Sequence, residues 1–277
     1  MYLIYLYFVD SILKMGCKEI SSNPKRKQMP HQPVKDNNEK KEKLDYKIFR
    51  QEIKSDKTTK YFEVKLIIRE ITGDKSTIIG KYLFFKEDGT FQTKVLNKEN
   101  NESYMIEGKL NNDGTFEFKR DVMTNKYVYK GKIPLEELKN PSQIVISGKV
   151  YINGNESNDT TFTISLPNCA WNIQYSEKTV QKNSMIYMKI KNSRFNGISY
   201  DEIDGFSFWV GVEKEEKRVK LIQQYIVEDK SQKKCLGFEG MSDKINGYKI
   251  EGDVKNESLG INSKFRMKLL WKANEQL

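Results

Sequence analysis

The chain is poor in the residues that most often carry out catalysis. Among its 277 residues there is one histidine, His31, and the three cysteines, Cys17, Cys169 and Cys235, form no C-x-x-C pair. A histidine-dependent triad, a histidine-rich zinc site and a disulfide framework are therefore not expected. The sequence also lacks a phosphate-binding glycine loop, a nucleophile elbow and an H-E-x-x-H motif. We predict that the protein is not an enzyme and needs no metal or cofactor.

Long hydrophobic runs are missing as well. A membrane-spanning helix needs ~18 or more consecutive apolar residues, and the longest apolar-rich stretch, residues 1–13, is interrupted by Asp10. The net charge is +10, from 48 basic and 38 acidic residues that are well mixed along the chain. Because no ordered nucleic-acid-binding motif accompanies this charge, we expect no nucleic-acid partner.

The first 47 residues differ in texture from the rest. Residues 18–47 contain three of the six prolines and few large apolar side chains. Such a composition buries too little surface to offset the entropy lost on ordering the chain. We therefore predict a disordered amino-terminal arm over residues 1–47.

From about Tyr61 onwards, apolar and polar residues alternate in short runs, as in F-E-V-K-L-I-I at 62–68. E-D-G at 87–89 and N-D-G at 112–114 stand between such runs and are hairpin-turn signals. A period of two that recurs every few residues is typical of antiparallel strands. The sequence predicts an all-β fold.

The order of these strand patterns repeats once. A strand with glycine, an acidic-Gly turn followed by Phe-x-Phe, two further glycine-containing strands and a closing strand occur from Tyr104 and again from Arg194. We interpret this as a duplication. It predicts two tandem antiparallel meander or barrel units of seven or eight strands each, over residues 48–167 and 168–277, with Pro167 ending the last strand of the first unit.

The second unit resembles a β-meander found in uncharacterised proteins of single-celled eukaryotes, and it is broadly similar to the lipocalin–avidin, or calycin-like, barrels. The residues that carry the resemblance are Trp171, Tyr175, M-K-I at 188–190, N-G-I at 196–198, D-E-I-D-G-F-S-F at 201–208, V-K-L at 219–221, Tyr225 and I-N-G-Y at 245–248. Ile173 stands where that meander has glycine, and Tyr248 where it has tryptophan. The resemblance implies a barrel whose interior either is filled by side chains or holds an apolar ligand.

Two sets of residues are candidates for a site in this unit. If the barrel is hollow, aromatic side chains are expected to line its ligand cavity: Trp171, Tyr175, Phe206, Phe208 and Trp271. The alternative is that they fill the core. Trp209 breaks the alternation of its run, which predicts an outward side chain or a bulge. The second set is the acidic group Asp201, Glu202 and Asp204, which is either a solvated turn or a cation or acid–base site.

The amino terminus allows two lipid-anchor hypotheses. Read from Met15, the chain begins Met-Gly-Cys, which is similar to a myristoylation start with Gly16 as acceptor and Cys17 for palmitoylation, although Ile20 stands where the motif has Ser or Thr. The basic residues Lys18, Lys25, Arg26 and Lys27 would strengthen contact with an anionic membrane surface. Read from Met1, the start is an imperfect export or lipoprotein signal, with Asp10 inside its apolar run. The third alternative is an unprocessed start without function.

Together these features predict a non-enzymatic binding or scaffold protein whose partner is a protein or a small apolar ligand, with peripheral membrane association through the arm. The alternatives are a lipocalin-like carrier and an enzyme that uses the acidic group at 201–204. The localisation expected for a start at Met15 is the cytoplasmic face of a membrane. A lipoprotein would be secreted or on the surface, and an unprocessed chain would be cytoplasmic.

Overall fold

The computed structural model describes residues 61–96, 103–167, 169–214, 217–227, 234–244 and 248–272. Throughout these residues the fold is all-β, with short 3-10 turns such as Glu137–Lys139 and Glu257–Leu259 and no α-helix. The fold class predicted from the sequence is confirmed. The strands form two sheets, one open and one closed.

The first sheet has ten antiparallel strands, more than the seven or eight predicted. Their bounds are β1 (Phe62–Val64), β2 (Ile67–Thr72), β3 (Lys75–Gly80), β4 (Leu83–Phe85), β5 (Thr90–Leu96), β6 (Ser103–Leu110), β7 (Thr115–Val122), β8 (Asn125–Lys132), β9 (Val145–Ile152) and β10 (Asn155–Ser165). The spatial order is β1-β4-β5-β6-β7-β8-β9-β10-β2-β3. The edge strand β3 comes close to β5, so the sheet curls around its own apolar face without closing through a hydrogen-bonded ladder.

The second sheet is a closed eight-stranded barrel, as the sequence predicts. Its strands are β11 (Cys169–Glu177), β12 (Val180–Lys191), β13 (Arg194–Asp201), β14 (Gly205–Glu213), β15 (Arg218–Tyr225), β16 (Cys235–Asp243), β17 (Lys249–Asn256) and β18 (Ile261–Lys272). Each strand pairs with the next, and β18 pairs with β11 to close the ring. Closure leaves no exposed edge strand.

The predicted duplication matches the topology only in its last part. Both β10 and β18 pair with the first long strand of their own sheet, β2 and β11. The two strands before β10 are β8 and β9, and the two strands before β18 are β16 and β17. The glycine-containing motifs that repeat in the sequence lie on these corresponding pairs of strands. The two Phe-x-Phe motifs do not correspond, because they lie on β7 and β14, and the additional strand β15 separates β14 from β16. Duplication as the origin of the chain stays a prediction.

The sheet and the barrel belong to one compact unit and share a core. The outer wall of the barrel packs against one end of the curled sheet, where the ring centroid of Phe208 lies 4.7 Å from that of Phe85 and 5.6 Å from that of Phe62. The Tyr187 hydroxyl donates to the backbone oxygen of Leu138 at 3.1 Å. The boundary predicted at residue 167 falls between β10 and β11. Whether either part folds as a separate domain stays a prediction.

Candidate binding site

The barrel interior is filled by side chains. Trp171, Tyr175 and Trp209 point inward and are almost completely buried among aliphatic and aromatic neighbours. The Trp209 indole N–H donates to Ser199 Oγ at 2.8 Å, and its side chain faces inward. The register of β14 with both neighbours is unbroken at this residue, so neither the predicted outward side chain nor the alternative of a bulge is found. Phe238 lies 5.0 Å from Trp209, centroid to centroid. These side chains occupy the space that a carrier would need for its ligand.

The other aromatic candidates face away from the lumen. Phe206 and Phe208 lie on the outer face of β14 and belong to the core that the barrel shares with the first sheet. Trp271, on β18, is partly buried and packs against the same shared core. Two open grooves occur on the outer surface of the barrel, next to the ion pair of Arg266 Nε and Glu251 at 3.0 Å. The structure thus separates the five predicted lining residues and does not bring them to one cavity.

The acidic group at 201–204 forms ion pairs at one rim of the barrel. Lys182 Nζ lies 3.1 Å from Asp201 and 2.9 Å from Asp204, and Lys234 Nζ lies 2.7 Å from Asp204. Glu202 pairs with Lys139, in the 3-10 turn between β8 and β9, at 2.6 Å. Asp201 Oδ1 also accepts the backbone N–H of Ile203 at 2.9 Å, as in a local turn. Each carboxylate therefore has a lysine counter-charge. Across the described residues, no group of three or more His, Cys, Asp or Glu could hold a metal ion.

The pKa of Asp204 is displaced by these neighbours. Burial acts to raise the pKa, but the hydrogen bonds and charges of Lys234 and Lys182 outweigh burial and hold the pKa below its ordinary value. For Lys182 both effects have the opposite direction. Burial acts to lower the pKa, but the bonds and charges of Asp204 and Asp201 outweigh burial and raise the pKa above its ordinary value. Both ions are thus stabilised in the folded state.

Asp204→Asn is expected to lower the free energy of unfolding by about 1–2 kcal/mol at neutral pH, because the side chain is partly exposed and loses only its charge-assisted bonds. The stabilisation by Asp204 is complete above the ordinary aspartate pKa of about 3.9 and is lost as the pH falls through the lower folded-state pKa. Urea unfolding at pH 7 and pH 3 tests this. The difference in free energy of unfolding between variant and parent should be smaller at pH 3 than at pH 7. An equal difference at the two pH values would contradict this prediction.

A second cluster, which the sequence analysis missed, lies at the other end of the curled sheet. Its members, called here the tyrosine–arginine cluster, are Glu70, Tyr104, Arg120, Tyr127 and Tyr129. Four of them lie within two residues of a strand end: β2 ends at Thr72, β6 begins at Ser103, β7 ends at Val122 and β8 begins at Asn125. The barrel wall packs at the opposite end of the sheet.

Arg120 is the centre of the cluster. Its Nη2 donates to Glu70 Oε2 at 2.7 Å, and its Nη1 lies 3.5 Å from the Tyr104 hydroxyl. The guanidinium carbon lies 4.6 Å from the ring centroid of Tyr127, 5.3 Å from that of Tyr104 and 5.6 Å from that of Tyr129. These cation–π contacts and the ion pair hold Arg120 in place, and the residue is only 8% exposed. Among the residues that the structure describes, the Nε of Arg120 is buried and has no hydrogen-bond partner.

Two tyrosines of the cluster, Tyr104 and Tyr129, stay protonated at neutral pH because their pKa values are raised. Burial raises the pKa of Tyr104, against the opposing charge of Arg120. Burial also raises the pKa of Tyr129, whose hydroxyl donates to Glu70 Oε2. Tyr104 and Tyr127 are partly exposed, whereas Tyr129 is fully buried. The cluster therefore presents two partly exposed rings, those of Tyr104 and Tyr127, beside a buried cation.

The alternation of the strands could have revealed this cluster. Phe116, Phe118 and Arg120 occupy successive inward positions of β7, and Ile68 and Glu70 do so on β2. A charged residue that continues an inward-facing series of apolar residues is expected to have a buried partner. What the alternation does not show is that β2 and β7, some 50 residues apart in the chain, face each other across the curled sheet.

The lipid-anchor residues and the basic group lie outside the described residues: Gly16, Cys17, Lys18, Lys25, Arg26 and Lys27. The disordered arm, membrane tethering and the three localisations remain sequence predictions. Within the part of the chain that the structure describes, no helix is long and apolar enough to cross a membrane. No disulfide joins Cys169 to Cys235.

Comparison with known proteins leaves the chain without an assigned family. No protein-family model matches it, and no curated protein matches it in sequence. Among solved structures it is similar to the Myxococcus xanthus hemagglutinin, solved in complex with a3,a6-mannopentaose, with 8% identity and a TM-score of 0.24 over 74% of this chain and 99% of that one. It is also similar to the Burkholderia oklahomensis agglutinin, with 8% identity and a TM-score of 0.20 over 74% and 94% of the two chains. Because both TM-scores are low, neither fold nor ligand is transferred from these proteins.

Proposed function

We propose that the protein is a non-enzymatic binding protein whose ligand contacts the tyrosine–arginine cluster. Arg120 is the observation that supports this: its buried guanidinium is fixed by Glu70 and three tyrosine rings, and two of these rings, Tyr104 and Tyr127, are partly exposed. Side chains held in one rotamer before binding lose little entropy when a ligand arrives. Tyr and Arg are also the residue types that contribute most to binding energy at interfaces.

The surroundings of the cluster favour a polar ligand over an apolar one. Thr72 Oγ1 lies 3.2 Å from Thr160 Oγ1 on the neighbouring strand, on the side of the sheet that carries Glu70. Thr77 pairs with Glu70 and is exposed. The ligand that fits these tyrosine rings and threonine hydroxyls has a flat apolar face, which packs on Tyr104 and Tyr127, and hydrogen-bonding groups at its edge. A protein loop with an exposed ring side chain meets the same description.

In this proposal the barrel acts as a scaffold. Its filled interior supports a structural role over that of a carrier, and the lysine counter-charges on the acidic group at 201–204 support ion pairing over acid–base catalysis. A closed eight-stranded meander is also the architecture of lipocalins and streptavidin. We therefore include a calycin-like barrel in the proposal, on the basis of the meander and the motifs at 171–225.

Screening by NMR with tyrosine-labelled protein tests the proposed site. Among mono- and oligosaccharides, free amino acids and short peptides, at least one compound is expected to shift the resonances of Tyr104 and Tyr127. Tyr127→Ala should weaken that binding at least about tenfold, because loss of one hot-spot ring costs about 2 kcal/mol or more.

Tyr151→Ala is the matched control, since Tyr151 is a partly exposed tyrosine that pairs with Val128 and points to the other side of the same sheet. It should bind like the parent. Shifts confined to Tyr151 or to the barrel tyrosines, with Tyr104 and Tyr127 unmoved, would contradict the site.

A further inference from the structure

The curled sheet opens at the end that carries the tyrosine–arginine cluster. On five neighbouring strands, β5 to β9, the last inward-facing position is partly exposed, and the position two residues further in is buried. The partly exposed residues, called here the mouth, are Val95, Tyr104, Val122, Tyr127 and Ile152. The buried residues behind them are Thr93, Ile106, Arg120, Tyr129 and Val150. The described strands therefore leave an opening that is mostly apolar on this side.

Met123 adjoins the mouth in an unfavourable conformation. Val122 pairs with Asn125, so Met123 and Thr124 form a two-residue turn between β7 and β8. The φ of Met123 is 54°, in the left-handed region that favours glycine or asparagine. Met123 is 85% exposed, the largest value among the exposed large hydrophobic residues that the structure describes. A strained backbone and an apolar side chain in water both cost stability, and so exposed a side chain gains little from packing in the fold.

The turn that carries Met123 is held in place by the next hairpin turn. Asn153 Nδ2 donates to Asn125 Oδ1 at 2.9 Å, and Asn153 Oδ1 accepts the backbone N–H of Lys126 at 2.9 Å. The backbone N–H of Asn153 also donates to the backbone oxygen of Lys126 at 2.9 Å. Groups that are fixed before binding lose little entropy when a partner arrives. Met123 is thus presented on a braced turn, four residues before Tyr127.

The charges at this end of the sheet neutralise each other. Arg120 lies behind the mouth and is paired with Glu70 at 2.7 Å, and all five residues of the mouth are uncharged. Across the opening, Thr72 and Thr77 are exposed at the ends of β2 and β3 that adjoin Glu70. In charge, this end of the sheet complements an uncharged group that combines an apolar part with hydrogen-bonding groups.

We propose that the ligand of the tyrosine–arginine cluster is a peptide segment of another protein, and that an uncharged aromatic side chain of this segment enters the mouth and packs against Met123. The inference rests on the proposed function and adds the class of the partner. Aliphatic side chains such as Val122 and Ile152 give no hydrogen bonds to the hydroxyls of a saccharide. Tyrosine, methionine and arginine are enriched at protein interfaces, and the flexible thioether of methionine packs well at the edge of a ring.

NMR of the full chain, labelled at its methionine methyl groups, tests the class of the partner. The probe is the blocked peptide acetyl-Gly-Gly-Tyr-Gly-Gly-amide, and the comparisons are the same peptide with serine at its centre and glucose. The tyrosine peptide is expected to shift the methyl resonance of Met123, which is assigned by its loss in Met123→Leu. The serine peptide and glucose should leave this resonance unmoved.

Met123→Asn separates binding from folding. Because asparagine tolerates a positive φ, the variant should unfold at a higher temperature than the parent. It should nevertheless bind the tyrosine peptide at least about threefold more weakly, the effect of no longer burying one or two methylene groups. Met123→Leu keeps an apolar side chain of similar volume and should retain the affinity.

Met241→Asn is the matched control. Met241 is 51% exposed on the outer face of β16 and is not among the residues with positive φ. Its substitution should leave the affinity for the tyrosine peptide unchanged and should not raise the unfolding temperature.

The outcomes distinguish this inference from the proposed function. The inference is overturned if the tyrosine peptide fails to bind, if it binds without moving the Met123 methyl resonance, or if Met123→Asn binds as tightly as the parent. It is also overturned, while the proposed function holds, if glucose or another saccharide shifts the resonances of Tyr104 and Tyr127 and the peptide does not. If no compound shifts these two tyrosines, the proposed function fails as well.

Discussion

Glu70→Gln is expected to destabilise the protein by about 3–5 kcal/mol. The substitution keeps the size of the side chain but removes the negative charge that Arg120 contacts at 2.7 Å. Arg120 is 9% exposed in its side chain and cannot turn to water, so its charge is left buried and uncompensated. Guanidinium chloride unfolding, followed by circular dichroism, measures the loss.

The double variant Glu70→Leu with Arg120→Met distinguishes a lost ion pair from lost packing. Replacing both charges by apolar groups of similar volume is expected to recover most of the stability, because the cost of burying two ions disappears with them. Glu251→Gln, at the exposed pair with Arg266, is the matched control and should cost no more than about 1 kcal/mol. If Glu70→Gln cost no more than this control, Arg120 would not depend on Glu70.

Phe208→Ala is expected to cost about 3–5 kcal/mol and to separate the unfolding of the barrel from that of the curled sheet. The Phe208 ring is fully buried between Phe62 and Phe85 of the sheet, and its truncation leaves a cavity in the shared core. All three tryptophans lie in the barrel, at positions 171, 209 and 271. Tryptophan fluorescence therefore follows the barrel, and far-ultraviolet circular dichroism follows both sheets.

In the parent the two transitions should coincide, and in Phe208→Ala they should part. Phe238→Ala is the comparison, because Phe238 is equally buried but lies inside the barrel against Trp209. That variant should lose a similar amount of stability while its two transitions stay together. Coincident transitions in Phe208→Ala would show that the sheet and the barrel are coupled through other contacts.

The strands were predictable from the sequence because their cause is local. Alternation of apolar and polar residues places one face of each strand in a core, and turn residues such as Gly89 and Gly114, both with positive φ, end the strands where predicted. Closure of the second unit was predictable from its strand number and regular spacing. The open form of the first sheet was not predictable. It arises because β1 pairs with β4 and β3 remains an edge strand, and nothing in the sequence of these short strands specifies which strand they pair with.

The sequence by itself determined that this is an all-β protein with a long polar arm and few groups suited to catalysis, and it predicted two meander units of seven or eight strands, of which only the second has that strand number. Only the tertiary structure decided which aromatic residues share a core and which charges meet. Phe206 and Phe208 face the first sheet because the barrel is covered on one side, and Glu70 reaches Arg120 because the sheet curls. Contacts of this kind depend on how sheets curl and pack against each other, and the period-two pattern of a strand is the same on the inside of a barrel as on its covered outer wall.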